Sequence, residues 1–298
     1  MEFEARFSTE EACADYLIAL RWPEGFICPS CSGLKAWRTG RLLFHCTSCG
    51  HQASVIAGTV FQGTRKPLRM WFRAMWWVTN QKNGASALGL QQMLGLGSYR
   101  TAWSWLHKLR RAMVRPGRDR LQGLVEVDEA YFGGPEEAPG RGAEHKTLVV
   151  IAVEREGRRL GRTRMAIIRD ASSEQLCGFI EEVVEPESTI RSDGWQGYRA
   201  VIHRGYKHDR VIQQNNAKSP TELLPGVHLI ASLAKRWLLG THQGAVSVDY
   251  LRYYLDEFTF RFNRRKSKSR GKLFGRLVEQ AVAIAPTRNR DIIAKKPP

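Results

Sequence analysis

Four of the six cysteines form two pairs, Cys28-Pro29-Ser30-Cys31 and Cys46-Thr47-Ser48-Cys49, fourteen residues apart. Two Cys-x-x-Cys knuckles supply four thiolates, a closed tetrahedral set that suits Zn²⁺ and leaves no position open for a substrate. The metal is expected to be structural, with an iron centre of the same ligand set as the alternative. His45 and His51 adjoin the site, but four thiolates already complete it. Gly33 and Gly50 stand where the knuckles must turn back, and residues 34–44, centred on Arg38-Thr39-Gly40-Arg41, read as a β-hairpin. Cys13 and Cys177 stand alone and read as small buried hydrophobes.

A second set of residues suits oxygen chemistry. Leu124-Val125-Glu126-Val127-Asp128-Glu129-Ala130-Tyr131-Phe132 reads as a strand ending at Gly133-Gly134, and a loop rich in Gly, Pro and charge runs on to Lys146. Residues 147–153 and 163–168 read as strands joined by a turn at Glu156-Gly157-Arg158, and residues 173–184 as an amphipathic helix. A short strand, Thr189-Ile190-Arg191-Ser192, leads into Asp193-Gly194-Trp195. The order βββαβα places Asp128 on the first strand and Asp193 at the end of the fourth, the layout of a ribonuclease-H-like α/β domain. His228 lies 35 residues after Asp193, and Lys235 seven residues further on. Seven residues are two helical turns, so His228 and Lys235 share one face of a helix running to about Leu239.

Two acids, a third ligand and a basic residue two turns later resemble the DDE superfamily of transposases. The words Val125-Glu126-Val127-Asp128-Glu129-Ala130-Tyr131-Phe132-Gly133-Gly134, Ser192-Asp193-Gly194-Trp195-Gln196-Gly197-Tyr198 and Leu233-Ala234-Lys235-Arg236-Trp237-Leu238-Leu239-Gly240-Thr241-His242 resemble those of ISXO-type insertion-sequence transposases. So does Tyr254-Leu255-Asp256-Glu257-Phe258-Thr259-Phe260-Arg261-Phe262-Asn263-Arg264-Arg265, and that group also carries an N-terminal zinc ribbon. The resemblance covers nearly the whole chain. It implies hydrolytic nicking at the ends of the element, followed by attack of the freed 3′-hydroxyl on target DNA.

Such phosphoryl transfer uses two Mg²⁺ or Mn²⁺ ions about 4 Å apart. Asp128 is expected to bridge both, Asp193 and His228 to complete one each, and Lys235 to contact a DNA phosphate. The third ligand of the wider superfamily is usually Glu; in the resembling group Asn and Glu both occur. Glu222 is the nearest other acid, but Pro225 separates it from the helix. Imidazole is a softer ligand than carboxylate and shifts preference toward Mn²⁺. By strand alternation Glu129 points away from Asp128, whereas Glu126 shares its face and is expected to support the ligands.

These acids need elements that deliver DNA to them. Between Lys66 and Met113 the pattern is helical, with Leu68, Trp71, Phe72, Met75 and Trp76 on one apolar face. A second helix fits residues 85–94, Gly95-Leu96-Gly97 is a turn, and Ser98 is placed to cap a third helix, 98–113. That is the helix-turn-helix pattern, with Arg100, His107, Lys108, Arg110 and Arg111 on the third helix. Trp71, Trp76, Trp77, Trp103 and Trp105 read mostly as core. Residues 248–262 read as a helix with Leu251, Leu255, Phe258 and Phe262 on one face, packed on the catalytic domain. A basic stretch including Arg264 and Arg265 follows and is expected to grip DNA backbone. The resulting domains are a zinc ribbon (1–62), a helix-turn-helix segment (63–118), the catalytic domain (119–262) and a basic tail (263–298).

Charge supports the polyanion partner. The chain of 298 residues carries 46 Lys and Arg against 29 Asp and Glu, a net charge of +17. Residues 62–120 account for +11 and residues 259–298 for +10, flanking a middle segment of −3. Two such blocks point to a polyanion, most simply nucleic acid, and the resemblance implies double-stranded DNA, the terminal repeats and the target. No apolar run reaches the roughly 18 residues of a membrane span, and no secretory signal is evident. The resemblance implies a cytoplasmic, bacterial protein, nucleoid-associated when bound, and a homo-oligomer when assembled on paired DNA ends. Two rivals share these features: a DNA-binding regulator with an inactive middle domain, and a structure-selective nuclease of the same fold.

Overall fold

The computed structural model describes residues 2–39, 42–115, 117–133, 146–212, 219–242 and 246–293. The Gly- and Pro-rich loop expected after Gly133 falls almost wholly outside them. The chain divides into two compact units, Met1–Pro116 with Ser267–Pro298, and Gly117–Lys266.

The first unit begins with α1 (Glu2–Arg6) and α2 (Glu10–Arg21), the latter capped by the Thr9 hydroxyl, which accepts from the Ala12 amide at 3.1 Å. A three-stranded antiparallel sheet follows: β1 (Ala36–Thr39), β2 (Leu43–Cys46) and β3 (Gln52–Ser54). Trp37 pairs with His45 across the expected hairpin. Helices α3 (Leu68–Asn80), α4 (Ala87–Leu94) and α5 (Tyr99–Ala112) come next. Pro67 offers α3 no side-chain cap, and Glu10 replaces it, accepting from the amides of Leu68 (2.6 Å) and Arg69 (3.1 Å). Gly95 ends α4 in the left-handed region at φ 62°, where a side chain is strained. Ser98 sits at the cap position of α5, but its side chain makes no capping hydrogen bond.

The C-terminal stretch is not a separate basic tail. Residues Arg270–Ala283 form α10 and Asn289–Ile293 form α11, both within the first unit. Phe274 of α10 packs among Phe3, Phe7, Phe72 and Trp76, with ring centroids 5.2 to 5.9 Å away. Burying each such side chain stabilises the unit by about 1.5–3 kcal/mol, enough to hold a helix despite its cationic surface.

The second unit is a five-stranded mixed sheet in the order β6-β5-β4-β7-β8. Its strands are β4 (Leu124–Phe132), β5 (Thr147–Glu156), β6 (Arg159–Ile167), β7 (Thr189–Ser192) and β8 (Lys207–Arg210). β4, β5 and β6 are antiparallel neighbours, whereas β7 lies parallel to β4 and β8 parallel to β7. On one face Val125, Val127 and Val150 pack against α6 (Ser173–Val183) and against Tyr198 and Val201 of a 3₁₀ segment, Gln196–Arg204. On the other, Val149, Ile151 and Val153 pack against α8 (Pro225–His242) and α9 (Val248–Asn263). A four-residue helix, α7 (Pro220–Leu223), precedes α8. Because β5 is covered on both faces, residues 147–153 are buried without a break, which is why they read as an unalternating apolar run.

Candidate active site

In the first unit the four cysteine thiols lie within 4.8 Å of one another. Cys28 and Cys49 Sγ are 3.7 Å apart, and Cys31 and Cys46 Sγ 3.6 Å. A tetrahedron with Zn–S arms of 2.3 Å has edges of about 3.8 Å, so the quartet fits zinc. Backbone amides of Cys49 and Ser48 directed at Cys46 lower its thiol to about 6, favouring the thiolate. Despite the Gly33 amide, the crowding of the other three thiols pushes Cys31 up to about 12. The knuckle turns differ from expectation in one residue. Ser32 and Gly50 carry the positive φ angles (61° and 70°), each directly after a Cys-x-x-Cys pair. Gly33 serves close approach instead, since a Cβ there would lie 2.8 Å from Ser48 Oγ.

In the second unit a cavity of about 420 Å³ opens between β4 and α8, lined by Asp128, Glu129, Ala130, Val227, His228, Ala231, Ser232 and Lys235. Even-numbered residues of β4 face α8, so Asp128 points at the helix. Its Oδ2 is 3.7 Å from His228 Nε2. Pro225 opens α8, as suits a residue with no amide hydrogen to satisfy, and puts His228 in the first turn. Lys235, two turns on, enters the same cavity with its ammonium 5.5 Å from the centre of the Phe132 ring. Glu222 lies on α7, where its carboxylate accepts from the Ser219 amide at 2.6 Å, and it does not line the cavity.

Asp193 arrives from the neighbouring strand. β4 and β7 run parallel with Glu126 paired to Arg191, so two residues further along each strand come Asp128 and Asp193. Asp193 Oδ1 accepts from the Trp195 amide at 2.9 Å, closing the turn that ends β7. It does not line the cavity. Among the described residues, only the cysteine quartet gathers three or more ligand groups within 4.8 Å. The carboxylates still act on one another. Burial, with the charges of Glu129 and Asp193, pushes Asp128 up to about 7. Glu129 is also raised, by burial and by Asp193, although it accepts at 2.6 Å from the hydroxyl of the buried Tyr198. Glu129 is thus closer to the site's chemistry than alternation suggested. A strand separates adjacent side chains by face, but both still stand at the same level of the sheet.

The cationic residues expected to meet DNA behave unequally. Arg100 is exposed at the start of α5, and Lys108 and Arg111 are partly covered. Arg110 is only 2% exposed and His107 is fully buried, so α5 does not present the solvated basic face its sequence suggested. Arg264 and Arg265 fold back on their own chain: their guanidinium groups stack on Phe260 and Phe262, at 4.1 and 3.9 Å. Arg265 also donates to the carbonyls of Leu160, Gly161 and Phe262, fastening the end of α9 to the β5–β6 hairpin.

Both parts of the chain, the zinc ribbon and the mixed-sheet domain, match transposase domains. Residues 120–263 match the ISXO2-like transposase domain, and residues 8–52 match the transposase zinc-ribbon domain. The chain thus carries a transposase zinc-ribbon domain followed by an ISXO2-like transposase domain. It is also similar to an uncharacterized protein in transposable element ISH50 of Halobacterium salinarum, 28% identical over 281 residues, 86% of this chain and 91% of the relative. Among the described residues no helix is long and apolar enough to cross a membrane.

Proposed function

We propose that this transposase binds the ends of its element as duplex DNA, nicks them, and joins the freed 3′-hydroxyls to target DNA. The observation that carries the proposal is Asp128 facing His228 across a cavity that also holds Lys235. The strand order and the crossover through α6 fit a ribonuclease-H-like domain, in which Asp128, Asp193 and His228 would hold Mg²⁺ or Mn²⁺. The donors fit such ions, because the Asp128 carboxyl, raised by burial and by the charges of Glu129 and Asp193, gains from a cation beside it. Divalent metal there supplies Lewis-acid stabilisation of the scissile phosphate and of the attacking oxygen.

The chain's own groups do the rest. Asp128, in the middle of β4, and Asp193, just past the end of β7, would offer carboxylates side by side, because the two strands are paired in parallel. His228 offers a neutral nitrogen in place of a third carboxylate. Lys235 supplies a point charge for a non-bridging phosphate oxygen of the strand being cut. In the first unit, α4 and α5 with the turn between them would form the helix-turn-helix, with Arg100 as its available phosphate contact, and the zinc ribbon would add a second DNA contact. Two protomers would act on paired ends.

The test incubates purified full-length protein with labelled DNA from the flanks of its own gene, in Mn²⁺ and in Mg²⁺, beside Asp193→Asn. Metal-dependent nicking and strand joining that vanish in the variant support the proposal. Cutting without joining would indicate a nuclease. Tight binding with no cleavage in either metal would leave a DNA-binding regulator.

A further inference from the structure

Two residues before Asp128, on the same face of β4, stands Glu126, a fully buried carboxylate. It does not line the cavity, so it does not support Asp128 from beside the metal position as its place on the strand suggests. Its Oε2 instead accepts from the amides of Gly226 (2.7 Å) and Val227 (3.1 Å), the first turn of α8. Arg155 of β5 places its Nε 3.2 Å from Oε1. The first amides of a helix have no partners within it and form the positive end of its dipole, so a carboxylate there satisfies both needs. Ordinarily the residue just before the helix does this; here the anion comes from a strand one hundred residues earlier.

The fit leaves no slack. A Cβ on Gly226 would lie 2.6 Å from Glu126 Oε2, 3.0 Å from Leu160 Cδ2 and 3.1 Å from Arg155 Nη1. α8 is therefore fixed to β4 both along its axis and in rotation. Rotation matters, because a slip of one residue turns a helical side chain by about 100°. His228 follows Gly226 by two residues, and the strand that holds Glu126 also holds Asp128.

We infer that Glu126 is the positioning residue of the third-ligand helix: it sets the register of α8 on β4 so that His228 faces Asp128 and Lys235 enters the same cavity. The inference rests on the proposed metal-binding role of Asp128 and His228.

The test measures Mn²⁺ binding to the full-length protein, by the loss of the free-ion signal in electron paramagnetic resonance, for wild type, E126Q, H228A and E126Q/H228A. Amide exchange at the first turn of α8 is followed in parallel. Glutamine keeps one acceptor oxygen but turns an amide donor toward Arg155, so the anchor weakens while the volume stays. The expected result is Mn²⁺ affinity lower by roughly ten- to a hundredfold in E126Q, no further loss when E126Q is added to H228A, and faster exchange at the amides of Gly226 and Val227. Unchanged affinity in E126Q, or an equal loss in both backgrounds, would overturn the inference. If wild type binds no Mn²⁺, the metal-site proposal falls, and the register of α8 is then judged by exchange alone: unaltered protection in E126Q overturns it too. Should E126Q not fold, Gly226→Ala crowds the same anchor from the helix side and is expected to give the same Mn²⁺ loss; wild-type affinity in it overturns the inference.

Discussion

His228 Nε2 and Asp128 Oδ2 stand 3.7 Å apart, an imidazole on α8 facing a carboxylate on β4. Where the wider superfamily usually has a second negative group opposite the first, this chain has a ring nitrogen. In the proposed metal site His228 would therefore leave one carboxylate fewer and a softer donor, which would shift its preference toward Mn²⁺.

Replacing His228 by Glu restores the harder ligand. Cleavage in Mg²⁺ should rise relative to cleavage in Mn²⁺, by about an order of magnitude if one donor atom decides the preference. Rates in the two metals, measured for wild type and His228→Glu on the same DNA, give the ratio directly; identical ratios would remove His228 from the ligand set.

The raised carboxyl of Asp128 has two consequences for pH. Without metal, burial and its acidic neighbours hold it near 7, so it folds protonated at pH 5 or 6. A carboxyl whose folded pKa exceeds its unfolded value stabilises the fold while protonated, and that contribution is lost as pH rises through about 7. Metal-free protein should therefore lose stability between about pH 4 and pH 7, and Asp128→Asn should flatten that slope in urea unfolding. Below pH 7, Mn²⁺ must displace the proton, so calorimetry at pH 6 in buffers of different ionisation enthalpy should report about one proton released per ion bound at Asp128.

The zinc ribbon predicts a thiol count. Native protein should resist a thiol reagent and contain one zinc per chain by elemental analysis. Chelation with phenanthroline should free four reactive thiols from the cysteine quartet. Cys13 and Cys177 should stay silent until the protein is unfolded, since both are buried and burial pushes the Cys13 thiol to about 12. Six thiols appearing together would mean that the metal holds more of the protein together than its ribbon.

Two arginines ten residues apart on α5 should fail in different ways. Arg100→Ala should weaken DNA binding and reduce the salt dependence of affinity by about one counterion. Arg110→Ala should lower the thermal midpoint by several degrees instead, because its side chain is 2% exposed. Filter binding over a salt series, with a melting curve for each variant, separates the two; a wild-type salt slope in Arg100→Ala would mean that Arg100 does not touch phosphate.

Local sequence was sufficient wherever one chemical constraint sets the spacing. The cysteine pairs announced their metal, because a tetrahedron of thiolates admits few spacings. Leu124–Phe132 and Thr189–Ser192 were legible as strands, and the seven-residue interval put His228 and Lys235 on one helical face. The short β8 and the 3₁₀ form of Gln196–Arg204 were not legible, because both are held by neighbours rather than by an intrinsic pattern. Charge misled at Arg110 and in the C-terminal stretch. A count of cations does not say which are covered, and Phe274 outweighs the cationic surface of α10 by burying its ring among four others. The layout βββαβα already suggested Asp193 near Asp128; tertiary structure supplied the register, a parallel pairing of β4 and β7, and alone gave Glu126 to the start of α8. A buried carboxylate takes whatever donors the fold brings to it, and those amides lie a hundred residues away along the chain.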